Sequence, residues 1–296
     1  MSNPLKVALI VKPSPATRER SMRNMGMFSY ELPEFTWEHF YVHGLPRVDK
    51  KLYKNFDLIF MEDVTQGTKF LGSGPPIIYY SIDSTLTDRH YQVRLEQAKQ
   101  ADLILVDHDE PGRFATGKPV LPFPYCVNDK LFTPLEKKLD VSFHCSGGGK
   151  YGHPGGDERA LVRQILGSIA GKNHYTYRSG GVGLSEYAIN MGQSKIVVNW
   201  PRTTRNRPHR VFDTMACGAC LVTAPIPHVI GDNIERGKDY VGFDDPKDLE
   251  YIIPDLLRNN LWSAPAKLGH EKVMKKHTWA VRAKQLRELV AKEFGI

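Results

Sequence analysis

The chain has 296 residues, 41% of them hydrophobic, which is material for one large domain or for two of about 130 to 150 residues each. A charged fraction of 25% excludes a disordered chain, and four cysteines scattered over this length exclude a disulfide-stapled scaffold. The formal net charge of +7 admits an anionic partner: nucleotide phosphates, nucleic acid or an acidic lipid surface.

The first apolar run, KVALIV (6 to 11), is strand-sized and gives way at once to Lys12 and Pro13, without a small-residue cleavage pattern. Neither it nor KIVVNW approaches the roughly 20 apolar residues of a membrane helix. A soluble, cytoplasmic protein without a membrane span is the expectation. ATRERSMRNMGMFSYEL reads as a helix, DLIFME (57 to 62) and PIIYYSI (76 to 82) as strands, TDRHYQVRLEQAKQA as a helix and DLILVD (102 to 107) as a strand. Continuous apolar strands between amphipathic helices predict a parallel sheet covered on both faces. Residues 117 to 139 carry four prolines and no period, marking a connection.

A second series follows: strand DVSFHC (140 to 145), helix GDERALVRQILGSIA, strand HYTYR, helix LSEYAINMG, strand KIVVNW (195 to 200), helix HRVFDTMAC and strand ACLVTA. After PKDLEYIIPDLLRN, the tail from Trp262 reads as one or two long amphipathic helices. The expected fold class is α/β, with two Rossmann-like doubly wound domains facing across a cleft. The expected division is 1–125, a linker over 126–139, and 140–296, with the last helix packing back on the first domain. Ligands bind at the carboxyl ends of such strands.

The loop after DVSFHC is SGGGKYGHPGG, in which Gly147, Gly149 and Gly152 satisfy G-x-G-x-x-G. The acid that a dinucleotide fingerprint needs about 20 residues on is missing, and the P-loop spacing fails too. Two readings stay open: a mobile surface loop, or a loop that brings Ser146, Gly147 and Lys150 to phosphate oxygens. NWPRTTRNRPHRVFD gathers Arg202, Arg205, Arg207, His209 and Arg210 between a strand end and a helix start, where anions collect. Arg210 and Asp213 lie one helical turn apart, so one can hold phosphate while the other accepts from ribose hydroxyls. Gly218 is placed to end that helix. Cys217 and Cys220 form C-x-x-C, but nothing nearby completes a zinc site, and small apolar cysteines are common at such junctions.

EYAINMGQSKIVVNW, RVFDTMACGACLVTAPIP, HVIGDNIERGKDYVGFDDPKDLEYIIPDLL and HTWAVRAKQL, in that order, resemble the C-terminal domain of CgeB-like glycosyltransferases of the spore maturation protein type. These belong to the group-1 glycosyltransferases of GT-B fold. LPFPYCVNDKLFTP resembles the stretch that precedes that domain. The resemblance implies a metal-independent enzyme that uses a nucleotide sugar, a UDP-sugar foremost, with no further cofactor. Donor-binding residues would be Ser146, Gly147, Lys150, Arg207, Arg210 and Asp213. Asp213 stands where the family has a ribose-contacting glutamate, while Arg205 occupies the place of the earlier acid of the E-x7-E pair, so the anomeric outcome does not carry over. Basic side chains would stabilise the departing diphosphate.

The N-terminal domain should then position the acceptor. An inverting reaction needs a base there, and Asp83 in YYSIDST, then Asp63 in FMEDVTQG, are the candidates, with His43 third. A turn or cap role is the ordinary reading of an aspartate at a strand end. Lys12, Arg18, Arg20 and Arg23 form either a solvated helix face or the binding site of an anionic acceptor. Such an acceptor could be DNA with a hydroxymethylated base, a phosphorylated polymer or a nucleotide-linked small molecule. The alternatives are a non-catalytic nucleic-acid-binding protein that retains the fold and, resting on the glycine pattern alone, an NAD-dependent oxidoreductase.

Overall fold

A computed structural model describes residues 3–11, 33–41, 47–62, 69–81, 88–107, 114, 116–145, 156–201, 208–226 and 233–296. The chain divides into two compact units, Met1–Tyr125 together with Trp279–Ile296, and Cys126–Thr278.

The first unit contains β1 (Leu5–Val11), β2 (Phe35–Tyr41), β3 (Arg47–Asp49), β4 (Leu58–Glu62), β5 (Lys69–Leu71), β6 (Ile77–Ser81), helix α1 (Asp88–Ala98), β7 (Leu103–Val106) and β8 (Val120–Pro122). Six strands form one sheet in the order β2-β1-β4-β6-β7-β8, all parallel, while β3 and β5 pair separately. Val7, Ala8, Leu9 and Ile10 are all fully buried, as are Leu103 to Val106. A strand with no solvated face needs cover on both sides, which is why it reads as an unbroken apolar run. On one face Ile10, Ile59, Met61, Tyr79 and Ile104 form the core. On the other, Tyr80 meets Phe123 edge-on at 5.7 Å.

β2 escapes the apolar-run reading because it is an edge strand. Its sequence FTWEHFY alternates, with Phe35 buried and Thr36 and Glu38 exposed, as expected where only one side is covered. The helix expected over 16 to 32 lies outside the described residues.

The second unit contains β9 (Leu139–Phe143), α2 (Gly156–Asn173), β10 (Tyr177–Ser179), α3 (Leu184–Gln193), β11 (Ser194–Asn199), α4 (Arg210–Ala216), β12 (Cys220–Thr223), β13 (Val241–Gly242), α5 (Leu249–Arg258) and α6 (Ser263–Lys276). Its sheet is again all parallel, in the order β10-β9-β11-β12-β13. Residues 126–139 are tied to this unit: Val127 donates its amide to His277 O at 2.8 Å, and Leu135 and Lys138 donate theirs to Gly192 O and Gln193 O.

The tail forms two helices. α6 ends at Lys276, and α7 (Trp279–Phe294) belongs to the first unit, where Arg282 lies 5.3 Å over the Phe123 ring and donates to Tyr125 O. Among the described residues no helix is long and apolar enough to cross a membrane.

Candidate functional site

In the second sheet the strand order reverses between β9 and β11, since β9 is followed in the chain by β10 on one side and then by β11 on the other. The carboxyl ends of strands at such a reversal leave a crevice where doubly wound sheets hold ligands. Here β9 ends at Phe143 and is followed by His144 and Cys145, and β11 ends at Asn199 and is followed by Trp200. Cys145 Sγ donates to Trp200 O at 3.7 Å and so links the two ends, and Arg159 of α2 donates Nε and Nη2 to the same carbonyl at 3.2 and 3.1 Å.

α4 brings Arg210 and Asp213 to this edge. The helix has seven residues and closes with a C-terminal glycine turn: Gly218 sits at φ +58°, its amide bonds Met215 O, and the Ala219 amide bonds Thr214 O. Those two bonds satisfy carbonyls the helix leaves open, at a backbone angle that favours glycine. The structure thus ends the helix at the glycine the sequence marks.

Asp213 is only 3% exposed, and the Tyr187 hydroxyl of α3 donates to its Oδ2 at 3.2 Å. Tyr187 is in turn wedged between two rings, Phe132 and His144, each edge-on at 5.8 Å. Arg210 is half-buried, and its Nε has no hydrogen-bond partner among the described residues. Burial works against its charge, but Cys145, Tyr187 and Asp213 outweigh that and raise its pKa. The result is a permanent cation beside a buried carboxylate, an arrangement able to meet a phosphate and a hydroxyl pair together.

His144 completes the group, and the sequence reading passed over it. It is 6% exposed, and its Nδ1 lies 3.1 Å from Gly180 O. A carbonyl only accepts, so Nδ1 carries the hydrogen, and in the neutral ring Nε2 holds a lone pair. That atom is buried without a hydrogen-bond partner among the described residues. Burial above all pushes the imidazole pKa down; the bond to Gly180 O pulls it up in part, the Arg210 charge adds to the fall, and Glu186 opposes it. Gly180 opens a second glycine run, Gly180-Gly181-Val182-Gly183, that leads into α3; a Cβ on any of its three glycines would meet nothing within 4 Å. A histidine one residue past an apolar strand, and a glycine run before a helix, were the signals available in the sequence.

Arg210 and Asp213 are thus brought together. Lys12, Arg18, Arg20, Arg23, His43, Asp63, Asp83, Ser146, Gly147, Lys150, Arg202, Arg205 and Arg207 lie outside the described residues. β1 ends at Val11, β4 at Glu62 and β6 at Ser81, on successive neighbours in the first sheet. The C-x-x-C thiols are buried, and burial raises both pKa values, Cys220 to about 12, which leaves little thiolate for redox or metal chemistry. Among the described residues no group of three or more His, Cys, Asp or Glu could hold a metal ion.

The family model described as "Glycosyl transferase-like" matches residues 129–288, more than half of the chain and the whole of this site. The chain belongs to this glycosyl transferase-like family. No curated protein matches it. Among solved structures it is similar to sucrose-phosphate synthase from Thermosynechococcus elongatus, at 12% identity and TM-score 0.62, covering 98% of this chain and 99% of that one. It is similar to Anabaena Alr3699/HepE, solved with UDP-glucose, at 11% identity and TM-score 0.66, covering 97% and 100%. It is also similar to a glycosyltransferase from Rickettsia africae, at 10% identity and TM-score 0.62, covering 99% of each. At these identities the likeness is one of fold, and that fold, α/β with parallel sheets, is GT-B.

Proposed function

We propose that this family member is a group-1 glycosyltransferase that moves a sugar from a UDP-sugar to a hydroxyl acceptor. The observation that carries the reading is the buried Asp213, oriented by the Tyr187 hydroxyl and set one turn from Arg210, at the strand-order reversal. The Anabaena protein was solved with UDP-glucose and with UDP and glucose, which favours uridine as the base. The motif order from EYAINMGQ to HTWAVRAKQL favours the CgeB-like branch.

In this reading Asp213 accepts from the donor ribose, and Arg210, with Ser146, Gly147, Lys150 and Arg207, holds the diphosphate. As the bond between the anomeric carbon and the diphosphate oxygen breaks, the leaving group's charge grows, and fixed cations stabilise it without a metal or other cofactor. Asp83, or failing it Asp63, takes the proton from the acceptor hydroxyl in an inverting transfer. The net charge of +7 and the run containing Lys12, Arg18 and Arg20 favour an anionic acceptor, with the hydroxymethylated base of duplex DNA as the acceptor we propose, and a cytoplasmic setting follows.

The test is calorimetric titration of UDP, GDP, ADP, NAD and their sugar conjugates into wild type and Asp213→Ala, followed by turnover on hydroxymethylated duplex DNA with and without EDTA. The expected result is UDP-sugar binding that Asp213→Ala weakens roughly a hundredfold or more, for two lost charge-assisted hydrogen bonds. Unchanged donor affinity in the variant sinks the assignment. Salt-dependent DNA binding with no sugar-nucleotide turnover would instead establish a non-catalytic nucleic-acid-binding protein.

A further inference from the structure

The donor reading leaves one buried group of the site without work. His144 is held by its Nδ1–H bond to Gly180 O and by the Tyr187 ring edge, so its orientation is set before any ligand arrives. Its other nitrogen is enclosed and unbonded among the described residues. Burying an imidazole nitrogen without a partner costs free energy, and a site recovers that cost when a ligand supplies the partner.

The charged and titratable groups around this strand end are Arg210 and Asp213 of α4, Glu186 and Tyr187 of α3, and Arg163 of α2, which donates to Cys145 O at 3.4 Å. Without ligand, enclosure above all, with the Arg210 charge adding to it, favours the neutral ring. A diphosphate beside Arg210 reverses the local field, because its negative charge more than offsets one guanidinium. Resting on the donor reading above, we propose that His144 is a further donor-binding residue: the arriving diphosphate draws one proton from solvent onto Nε2, which then donates a charged hydrogen bond to a phosphate oxygen. The bond formed is Nε2–H, and the proton comes from water or buffer. Loss of the diphosphate product returns it.

The experiment is calorimetric titration of UDP-glucose at pH 7 in phosphate and in Tris, buffers whose ionisation enthalpies differ widely. UDP-glucose suits the purpose because its diphosphate is doubly esterified and does not itself titrate near neutrality. Wild type should give buffer-dependent enthalpies that report net proton uptake, and affinity that rises as pH falls from 8 to 6. His144→Gln, with an uncharged amide in place of the titrating nitrogen, and His144→Asn, which keeps a donor toward Gly180 O, should both melt near wild type. In each, proton uptake should vanish and donor affinity should drop roughly tenfold, the loss of one charge-assisted bond. Binding without buffer dependence in wild type, or uptake that survives in both variants, overturns the role of His144 and leaves the donor site standing. Failure of UDP-glucose to bind wild type overturns the donor reading and the inference with it.

Discussion

Tyr187→Phe removes a single oxygen from the site and tests whether Tyr187 orients Asp213. The ring keeps its edge contacts with Phe132 and His144, so packing is preserved and only the hydroxyl bond to Asp213 Oδ2 is lost. At 3.2 Å that bond is long for a hydroxyl on a carboxylate, which places its worth near the low end for charged partners, about 1.5 kcal/mol. For a unit of this size such a loss lowers Tm by about 3 to 6 °C. On an Asp213→Asn background the acceptor is neutral and the same substitution should cost only about 0.5 kcal/mol, a coupling near 1 kcal/mol in a double-mutant cycle. Thermal melts give the stability arm, and UDP-glucose titrations give the binding arm, in which Tyr187→Phe should weaken the donor by up to roughly tenfold. Additive stabilities within about 0.5 kcal/mol would refute the bond. A lower Tm with unchanged donor affinity would refute the positioning role.

Two further expectations concern the frame around the site. The Asp140 carboxylate accepts from Lys195 Nζ at 2.7 Å and from the Thr176 amide and hydroxyl, each at 2.9 Å; partial burial works to raise its pKa, but these bonds outweigh it and the net shift is downward. A folded-state pKa below the unfolded one contributes stability above the unfolded value, lost as pH falls through the folded value. Asp140→Asn should therefore cost about 1 to 2 kcal/mol in urea melts at pH 7, with the gap closing as acid protonates the carboxylate through its lowered folded value; a gap that persists in acid contradicts the linkage. Two glycines should respond oppositely to alanine. A Cβ at Gly192 would lie 2.7 Å from Thr133 O, so Gly192→Ala should destabilise by about 1 to 3 kcal/mol, whereas at Gly167, exposed on α2, it meets nothing within 4 Å, and Gly167→Ala should stabilise by about 0.5 to 1 kcal/mol. Differential scanning calorimetry of the pair decides, and equal shifts would refute the packing argument.

The elements that could be read from sequence are those whose own residues determine their environment. Within KVALIV, KIVVNW and ACLVTA, residues Val7 to Ile10, Ile196 to Val198 and Cys220 to Val222 are buried on both faces, so an apolar run announces each strand. β2, β3 and β5 lie at sheet edges or in a separate pair, where solvent on one side admits polar residues and erases that signal. HYTYR reads as a strand from His174, yet β10 starts at Tyr177, because His174 sits at φ 56° in the turn that leaves α2. Within the site, Arg210 and Asp213 were legible because one helix carries both. His144 and Tyr187 were not, because their roles arise from contacts across 36 and 26 residues of sequence, to Gly180 and Asp213.

The same distinction explains how α4 can hold a site at all. Seven residues are too few for a helix to persist on its own propensity, since nucleation is costly and isolated helices need roughly twelve or more. Its stability must come from its surroundings, and Val211, Phe212 and Met215 are buried. Its last carbonyls are also occupied. His270 Nδ1 reaches Met215 O and Ala216 O at 3.2 and 2.9 Å, and Lys137 Nζ donates to Cys217 O at 3.0 Å while also capping α3 at Gly192 O. A cation shared between two helix ends favours both, since each carries partial negative charge there. Gly269 lets α6 come close enough to do this: a Cβ on it would stand 2.9 Å from Asp239 O and 3.1 Å from Met215 Cγ. The helix that carries Arg210 and Asp213 is therefore clamped at its far end by residues more than 50 positions away in either direction. Its near end, at the carboxyl edge of the sheet, is the part that meets the ligand in the donor reading.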